Sequence, residues 1–403
     1  MEQESKQRWI ILGTATMVMM IISIYQYSWS LFAFSLQNEL GWDLTKIGLV
    51  FTVFAYTVTF IQPFSGMIAD TFGPRNVAVL GAVLVGAGFI LSSLASSAWQ
   101  LYIFYGLGGI GVGALYGVST ASAIKWFPNR RGFAVGIIVF GFGAGTAIFN
   151  LIIQGMLDNM GLRPTFLYLG SAMLLVVVPL SFLYRYPADS RNLAGAGSGN
   201  DSNDSADFKP IQMLSTYQWY LIYFCFTFTV SIVLMFGAQM KMLAREFNIP
   251  QGYFSLVLVV FPLANGLSRV LAGAVSDKIG REKTMVIFYG FLGVSICGLV
   301  LFGHFPSLFV LFVFISALLG GSPFALYPAT VGDYFGARYS TTNYGITYTA
   351  KAWAGLISGW LSAYLVIRFG SFKLPLIIVA VCSLIAALLS NPKWMKSPER
   401  LRP

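Results

Sequence analysis

Twelve long apolar segments dominate this sequence and restrict what it can fold into. A helix needs about 20 apolar residues to cross the hydrocarbon core of a membrane, and each run is close to that length. The runs are continuous, whereas the strands of a membrane barrel alternate apolar and polar residues. The sequence therefore predicts an all-α membrane protein with twelve transmembrane helices. The predicted segments are 9–35, 45–69, 76–96, 99–124, 132–156, 165–183, 218–240, 252–275, 284–303, 307–331, 342–367 and 374–390.

The composition agrees with that class and narrows the chemistry. Of the 403 residues, 57% are hydrophobic and only 10% are charged, against about 25% charged residues in soluble domains. The chain has one histidine and three cysteines, and the cysteines lie inside apolar runs. So few histidine and cysteine side chains favour neither an enzyme nor a metal or cofactor site. We expect no cofactor, and we attribute the net charge of +10 to contact with anionic lipid rather than nucleic acid.

The positions of Lys and Arg predict the orientation and the domain organisation. Between and at the ends of the predicted helices, 17 of these cations fall on the side of the two chain ends and 6 on the opposite side. Cytoplasmic loops carry the excess of positive charge, so we expect both termini in the cytoplasm and the protein in the plasma membrane. The polar loop 184–217 separates a six-helix bundle over 1–183 from a second one over 218–403. We expect a monomer.

The two halves share a loop motif, which indicates an internal duplication. Gly-x3-Asp-x2-Gly-x-Arg, with Asp70 and Arg75, follows the second segment. Gly-x3-Asp-x2-Gly-Arg, with Asp277 and Arg281, follows the eighth. Glycines let two helix ends approach closely, and the Asp and the cation can bond across the turn, so we predict a gating role for these four residues. The simpler interpretation is that glycine makes the turn and the charges mark the membrane edge.

With its twelve segments, its central loop and this motif in both halves, the chain resembles the major facilitator superfamily over its whole length. The resemblance implies two pseudo-symmetric six-helix bundles. It also implies alternating access, in which the two bundles rock around a central site.

Two cations lie inside predicted helices rather than in loops. Arg269 falls in the eighth segment and Lys351 in the eleventh, each roughly 12–14 Å from the terminal side of the membrane at 1.5 Å per residue. No Asp or Glu falls inside any predicted segment. A charge at this depth costs about 2.5–3.5 kcal/mol or more, and an anionic substrate would supply the missing partner. The alternative is that both cations bond backbone carbonyls or line wet cavities passively.

Polar residues at similar depth are candidates to orient such an anion. Tyr348 precedes Lys351 by three residues and shares its helix face. Gln62 occupies the position in the first half that corresponds to Arg269. The alternative for all candidates is packing between helices or an interfacial aromatic belt. The others are Tyr27 and Trp29 in the first segment, Tyr116 in the fourth, Tyr327 in the tenth and Trp353 in the eleventh.

Short motifs narrow the resemblance. They are QYSW at 26–29, NGLSR at 265–269, ALYP at 325–328, and NYG at 343–345 followed by AK at 350–351. On these motifs the chain is similar to the oxalate:formate antiporter family, which neighbours the monocarboxylate (lactate and pyruvate) transporters. The resemblance implies that Arg269 and Lys351 bind a substrate carboxylate, and it places Asn265 beside them.

Departures from that family leave the substrate and the coupling open. Leu319 or Gly320, and Tyr348, stand where the oxalate carriers are expected to have tryptophan, so lactate, pyruvate, formate and oxalate are all candidates. Asn265 stands where many eukaryotic monocarboxylate carriers have Asp. Coupling is therefore either proton symport or anion exchange, and the predicted partners are a small carboxylate, a proton in the symport case, and the lipid bilayer.

The competing hypothesis is a multidrug or other solute efflux carrier of the same superfamily. Such carriers often use acidic residues to hold lipophilic cations, and the predicted segments contain none. The sequence therefore favours carboxylate transport.

Overall fold

The computed structural model describes residues 2–127, 131–187, 208–336 and 339–398. Within these residues, eleven helices are long and apolar enough to cross a membrane. The apolar helix Lys373–Leu389, of 17 residues, occupies the twelfth predicted position. The prediction of an all-α membrane protein is confirmed.

We number the helical segments as spans 1 to 12, of which four consist of more than one helix. A short helix, Pro210–Leu214, precedes span 7. Span 1 consists of Glu2–Ile22, Ile24–Tyr27 and Trp29–Leu40; spans 2, 3 and 4 are Leu44–Phe72, Pro74–Ser93 and Ala98–Trp126; span 5 consists of Arg131–Ala144 and Thr146–Met160; and span 6 is Leu162–Ser181. Spans 7, 8 and 9 are Tyr217–Glu246, Gln251–Ile279 and Arg281–Phe302, and span 10 consists of Pro306–Gly320 and Pro323–Phe335. Span 11 consists of Ser340–Tyr348, Ala350–Leu356, Ile357–Leu361 and Ser362–Phe369, and span 12 is Lys373–Leu389.

Breaks in the spans occur at residues that disfavour a continuous helix. Span 1 is interrupted at Ser23 and again at Ser28, and span 5 at Gly145. Serine competes for backbone carbonyls, and the Ser23 hydroxyl donates to Met20 O at 2.6 Å. Span 10 is interrupted directly before Pro323, because proline has no N–H to continue the helical ladder.

The internal repeat is visible in two carboxylates that cap helices. Glu39, at the end of span 1, accepts a hydrogen bond from Leu162 N at 3.1 Å. Glu246, at the end of span 7, accepts from Phe372 N at 2.9 Å and from the Ser371 hydroxyl at 2.6 Å. A negative charge at a helix start satisfies free N–H groups and the helix dipole. Glu246 follows Glu39 by the same 207 residues that separate the two loop motifs.

The two halves are in close contact on one side of the membrane. We call the side where span 1 ends the distal side, and the side of the chain ends the proximal side. On the distal side the backbones of spans 2 and 11 touch, since a Cβ built on Gly48 would lie 2.4 Å from Gly359 O. Nearby, Lys241 and Arg245 of span 7 lie 4.7 and 5.6 Å from the ring centre of Phe34 in span 1.

Candidate functional site

A cavity of ≈ 360 Å³ lies between the two halves, in the proximal part of the protein. Spans 2, 4 and 5 supply one wall and spans 10 and 11 the other. The wall is mostly aromatic and aliphatic, which is typical of a small-molecule site with a few polar groups. The lining residues are Gln62, Tyr116, Gly117, Thr120, Ala121, Ile124, Val135, Val139, Phe324, Pro328, Tyr344, Gly345 and Tyr348.

Arg269 is buried where span 8 crosses the first half. Its side chain is 7% exposed, and it donates to Val139 O of span 5 and, at 3.5 Å, to the Tyr27 hydroxyl of span 1. That hydroxyl in turn donates to Asn265 Oδ1 at 3.1 Å. Arg269 Nε has no hydrogen-bond partner among the described residues. The guanidinium is therefore held by neutral oxygens and keeps donor capacity in reserve.

Lys351 is buried in the short helix Ala350–Leu356 of span 11. The residue is 2% exposed, and its Nζ donates to Gln26 Oε1 at 2.9 Å and to the Tyr348 hydroxyl at 3.3 Å. Gln26 and Tyr27 are neighbours in the short helix between the two breaks of span 1, and they contact Lys351 and Arg269 respectively. Within the described residues neither cation contacts a carboxylate.

Phe324 connects the two cations. The Arg269 Cζ lies 4.9 Å and the Lys351 Nζ 6.0 Å from the centre of the same ring. The face of an aromatic ring attracts cations, and this ring also lines the cavity. Phe324 therefore stands between the cavity and the cation pair. It immediately follows the break in span 10.

Most of the residues expected around the cations lie near the cavity or the cations, but Tyr327 and two tryptophans do not. Tyr116, Tyr348 and Gln62 line the cavity. Tyr327 packs inside the second half, with its ring 4.8 Å from that of Phe226, and is absent from the cavity wall. The helix that begins at Pro323 turns Tyr327 inward and presents Phe324 and Pro328 instead.

The two tryptophans considered as candidates are also remote from the cations. Trp29 is buried in the first half against Tyr105, at 4.5 Å between ring centres. Trp353 is 50% exposed and packs edge-on to Tyr56. Both placements correspond to the packing interpretation.

The loop motif of the second half joins three spans at the proximal side. Arg281 Nη1 lies 2.6 Å from Asp277 Oδ1 and bonds the Ser276 hydroxyl, while its Nε lies 3.3 Å from Asp333 of span 10. In the first half, Arg75 is half-buried in the first turn of span 3. The side chain of Asp70 lies outside the described residues.

Sequence reasoning missed two contact residues, Gln26 and Phe324. Gln26 lies in the quoted motif of span 1, but it was not among the residues named as candidates to orient the anion. Phe324 carries no polar group. A signal for it existed in Pro323, which marks the break that exposes the next side chain.

The spans, the repeat and a cavity between the halves define a polytopic membrane transporter. The family model for the Major Facilitator Superfamily matches residues 14–242 and 219–400, and the chain belongs to this superfamily. It is 34% identical to an oxalate:formate antiporter of Oxalobacter formigenes, over 95% of this chain and 91% of the relative.

Two more distant relatives also bear names of carriers of organic anions. A probable sulfoacetate transporter of Cupriavidus necator is 25% identical, over 97% of this chain and 94% of the relative. Monocarboxylate transporter 12-B of Danio rerio is 23% identical, over 90% and 82%. The resemblance found in the sequence motifs is confirmed, and the protein is a carrier rather than an enzyme.

Proposed function

We propose that this protein is a secondary transporter of small organic carboxylates, with Arg269 and Lys351 binding the carboxylate. Candidate substrates are lactate, pyruvate, formate and oxalate. The observation that carries the proposal is the pair of buried cations at Phe324 without a carboxylate partner among the described residues. A buried unpaired charge is costly, and a substrate carboxylate would offset that cost.

The chemistry of the two cations divides the work at such a site. The planar guanidinium of Arg269 can hold a carboxylate with two parallel bonds, while the ammonium of Lys351 acts as a point charge. Both now donate to neutral groups (a carbonyl, an amide and two hydroxyls). An anion competes well with these because charge-assisted hydrogen bonds are about twice as strong as neutral ones.

The contacts of the two halves support a mechanism of alternating access. The distal contacts are closed and the cavity is in the proximal part, which corresponds to an inward-facing state if the termini are cytoplasmic. The domain division at 184–217, the plasma-membrane location and a monomeric state belong to the same proposal. The motif residues Asp70, Arg75, Asp277 and Arg281 are proposed to bond at the proximal ends of the spans as the halves rock.

The assignment is tested by charge-removing variants with matched controls. In proteoliposomes, Arg269→Gln and Lys351→Gln should each lower carboxylate uptake about 30-fold or more, because truncating one partner of a buried charge contact costs about 2 kcal/mol or more. The controls Lys278→Gln and Arg368→Gln remove exposed cations from the same spans and should retain uptake. Normal uptake by both buried-site variants would contradict the assignment of Arg269 and Lys351 to carboxylate binding.

The substrate and the coupling need two further measurements. A competition panel of C1 to C4 mono- and dicarboxylates identifies the substrate. Counterflow against an imposed pH gradient separates the two couplings, since uptake that follows the gradient without internal anion indicates proton symport. Resistance to lipophilic cations, with no carboxylate uptake, would instead indicate an efflux carrier.

A further inference from the structure

Span 11 contains a π-helical turn directly after the helix that carries Lys351. The turn covers Ile357–Leu361 and is followed by the α-helix Ser362–Phe369. A π-turn holds one residue more than the α-helix it interrupts, and such turns occur frequently at functional sites. Backbone groups that such a turn leaves without a partner in the helix need partners from elsewhere.

One partner comes from the opposite half of the protein. Thr52 of span 2 accepts a hydrogen bond from Trp360 N at 3.2 Å, and its hydroxyl lies 3.2 Å from Gly355 O. Thr52 is 4% exposed. The approach depends on glycine, since a Cβ on Gly359 would lie 2.6 Å from Thr52 Oγ1 and from Gly48 O.

The second partner comes from span 7 of the same half. Gln239 Nε2 lies 3.0 Å from Ser358 O, 3.1 Å from Gly359 O and 2.6 Å from the Ser362 hydroxyl. The Gln239 amide therefore donates to two carbonyls of the π-turn. Gln239 stays with span 11 when the halves separate, whereas Thr52 leaves with the first half.

We propose that Thr52 is a positioning residue for Lys351, acting through the π-turn. While Thr52 contacts span 11, the π-turn holds the extra residue and the Lys351 ammonium donates to Gln26 at 2.9 Å. When the distal side opens, the turn relaxes to α-helix and the register shifts by one residue. The helix carrying Lys351 then rotates by about 100° relative to the distal end of span 11.

Distal closure is in this way communicated to the anion site. The role of Lys351 in that site rests on the proposed function, but the change of the π-turn does not. The cation would point at Gln26 and Phe324 only while the distal side is closed, so the affinity for an anion would differ between the two states. A ligand shifts a conformational equilibrium only through such a difference.

The first test is structural and needs no substrate. We would determine by electron cryo-microscopy the structure of Gly48→Ala, with an antibody fragment as fiducial, because the added Cβ, 2.4 Å from Gly359 O, disfavours distal closure. The expected result is an α-helical 357–361 and a Lys351 Nζ outside hydrogen-bonding distance of Gln26. A π-turn retained in a distal-open molecule overturns the proposal.

The second test is kinetic and uses three substitutions on span 2. The Thr52 hydroxyl shares its single proton between Gly355 O at 3.2 Å and Gly48 O of its own helix at 3.1 Å, so the bond accepted from Trp360 N is the main one lost. Thr52→Val removes the hydroxyl at nearly constant shape and should raise KM for the transported carboxylate about fivefold, the equivalent of one hydrogen bond of about 1 kcal/mol. Thr52→Ser should restore KM to within about twofold. Thr57→Val is the control, because the Thr57 hydroxyl bonds Phe54 O of its own helix. An unchanged KM in Thr52→Val contradicts the role of Thr52; absence of carboxylate transport in the parent protein contradicts the proposed function alone.

Discussion

The contact between spans 2 and 11 makes a sharp prediction about Gly48. A Cβ at this position would lie 2.4 Å from Gly359 O and 3.0 Å from Ala363 Cβ. Ordinary contacts of a Cβ begin at 3.4 Å, so the neighbouring backbone would have to move by about 1 Å. Neither atom belongs to a flexible side chain end. Gly48→Ala should therefore penalise the distal-closed state and leave the distal-open state unaffected.

The size of the effect follows from the energy of overpacking. Inserting a methyl group into a closely packed contact costs about 1–3 kcal/mol. Applied to only one of the two states, this shifts their ratio about fivefold to 150-fold toward distal-open. The Thr52 contacts with Trp360 N and Gly355 O, at 3.2 Å each, also weaken in the distal-closed state when the added methyl group pushes the two helices apart. The expected shift in the population ratio therefore lies toward the upper end of this range.

The assay is the rate of maleimide labelling of a cysteine at position 33, in purified protein whose three native cysteines are replaced by alanine. Ala33 is 1% exposed and borders a small cavity beside Gly48 on the distal side. Gly48→Ala should raise the labelling rate by the population ratio. Gly136→Ala is the control, because its Cβ would meet no atom within 4 Å. Equal labelling of Gly48→Ala and Gly136→Ala would refute the argument that this contact holds the distal side closed.

Two other features of the distal side make independent predictions. Phe34→Leu removes the ring beneath Lys241 and Arg245 and should raise the labelling rate at position 33 about fivefold to 30-fold, since each of the two cation–π contacts contributes about 0.5–1 kcal/mol. Phe34→Trp keeps an aromatic ring and should not raise the rate. Glu246→Gln should destabilise the protein by about 1.5–3 kcal/mol, the value of hydrogen bonds to a charged group. In detergent, the unfolding temperature should then fall further for Glu246→Gln than for Glu39→Gln, because Glu39 accepts fewer hydrogen bonds than Glu246.

Hydropathy was sufficient to predict the spans, and distance along the spans was sufficient to place the two cations at one level. Length and apolar character decide whether a helix can cross a membrane, and the distance along a helix gives depth. Arg269 and Lys351, which are 82 residues apart in the sequence, accordingly meet at one ring. The loop motifs predicted the repeat, because equal offsets in the sequence place equivalent turns at equivalent helix ends.

Rotation about the helix axis was the quantity that the sequence could not supply. Each break in a span changes the facing of every residue beyond it. In span 1 the short helix between Ser23 and Ser28 carries the contact of Gln26 with Lys351. In span 10, beyond the break before Pro323, Phe324 lines the cavity while Tyr327 packs inside the second half. The π-turn could not be predicted either, because its hydrogen-bond partners lie on other helices and leave no pattern in the sequence of span 11.

The paired caps at Glu39 and Glu246 have a mechanical consequence. Each carboxylate fastens the first span of a half to the start of its last span, so the first and last helices of each half are joined at the distal side. A force on one of these helices would therefore be passed to the other. The contacts between the halves consist instead of glycine backbones and single side chains. In the proposed alternating access, the caps would keep each half together while the contacts between the halves change.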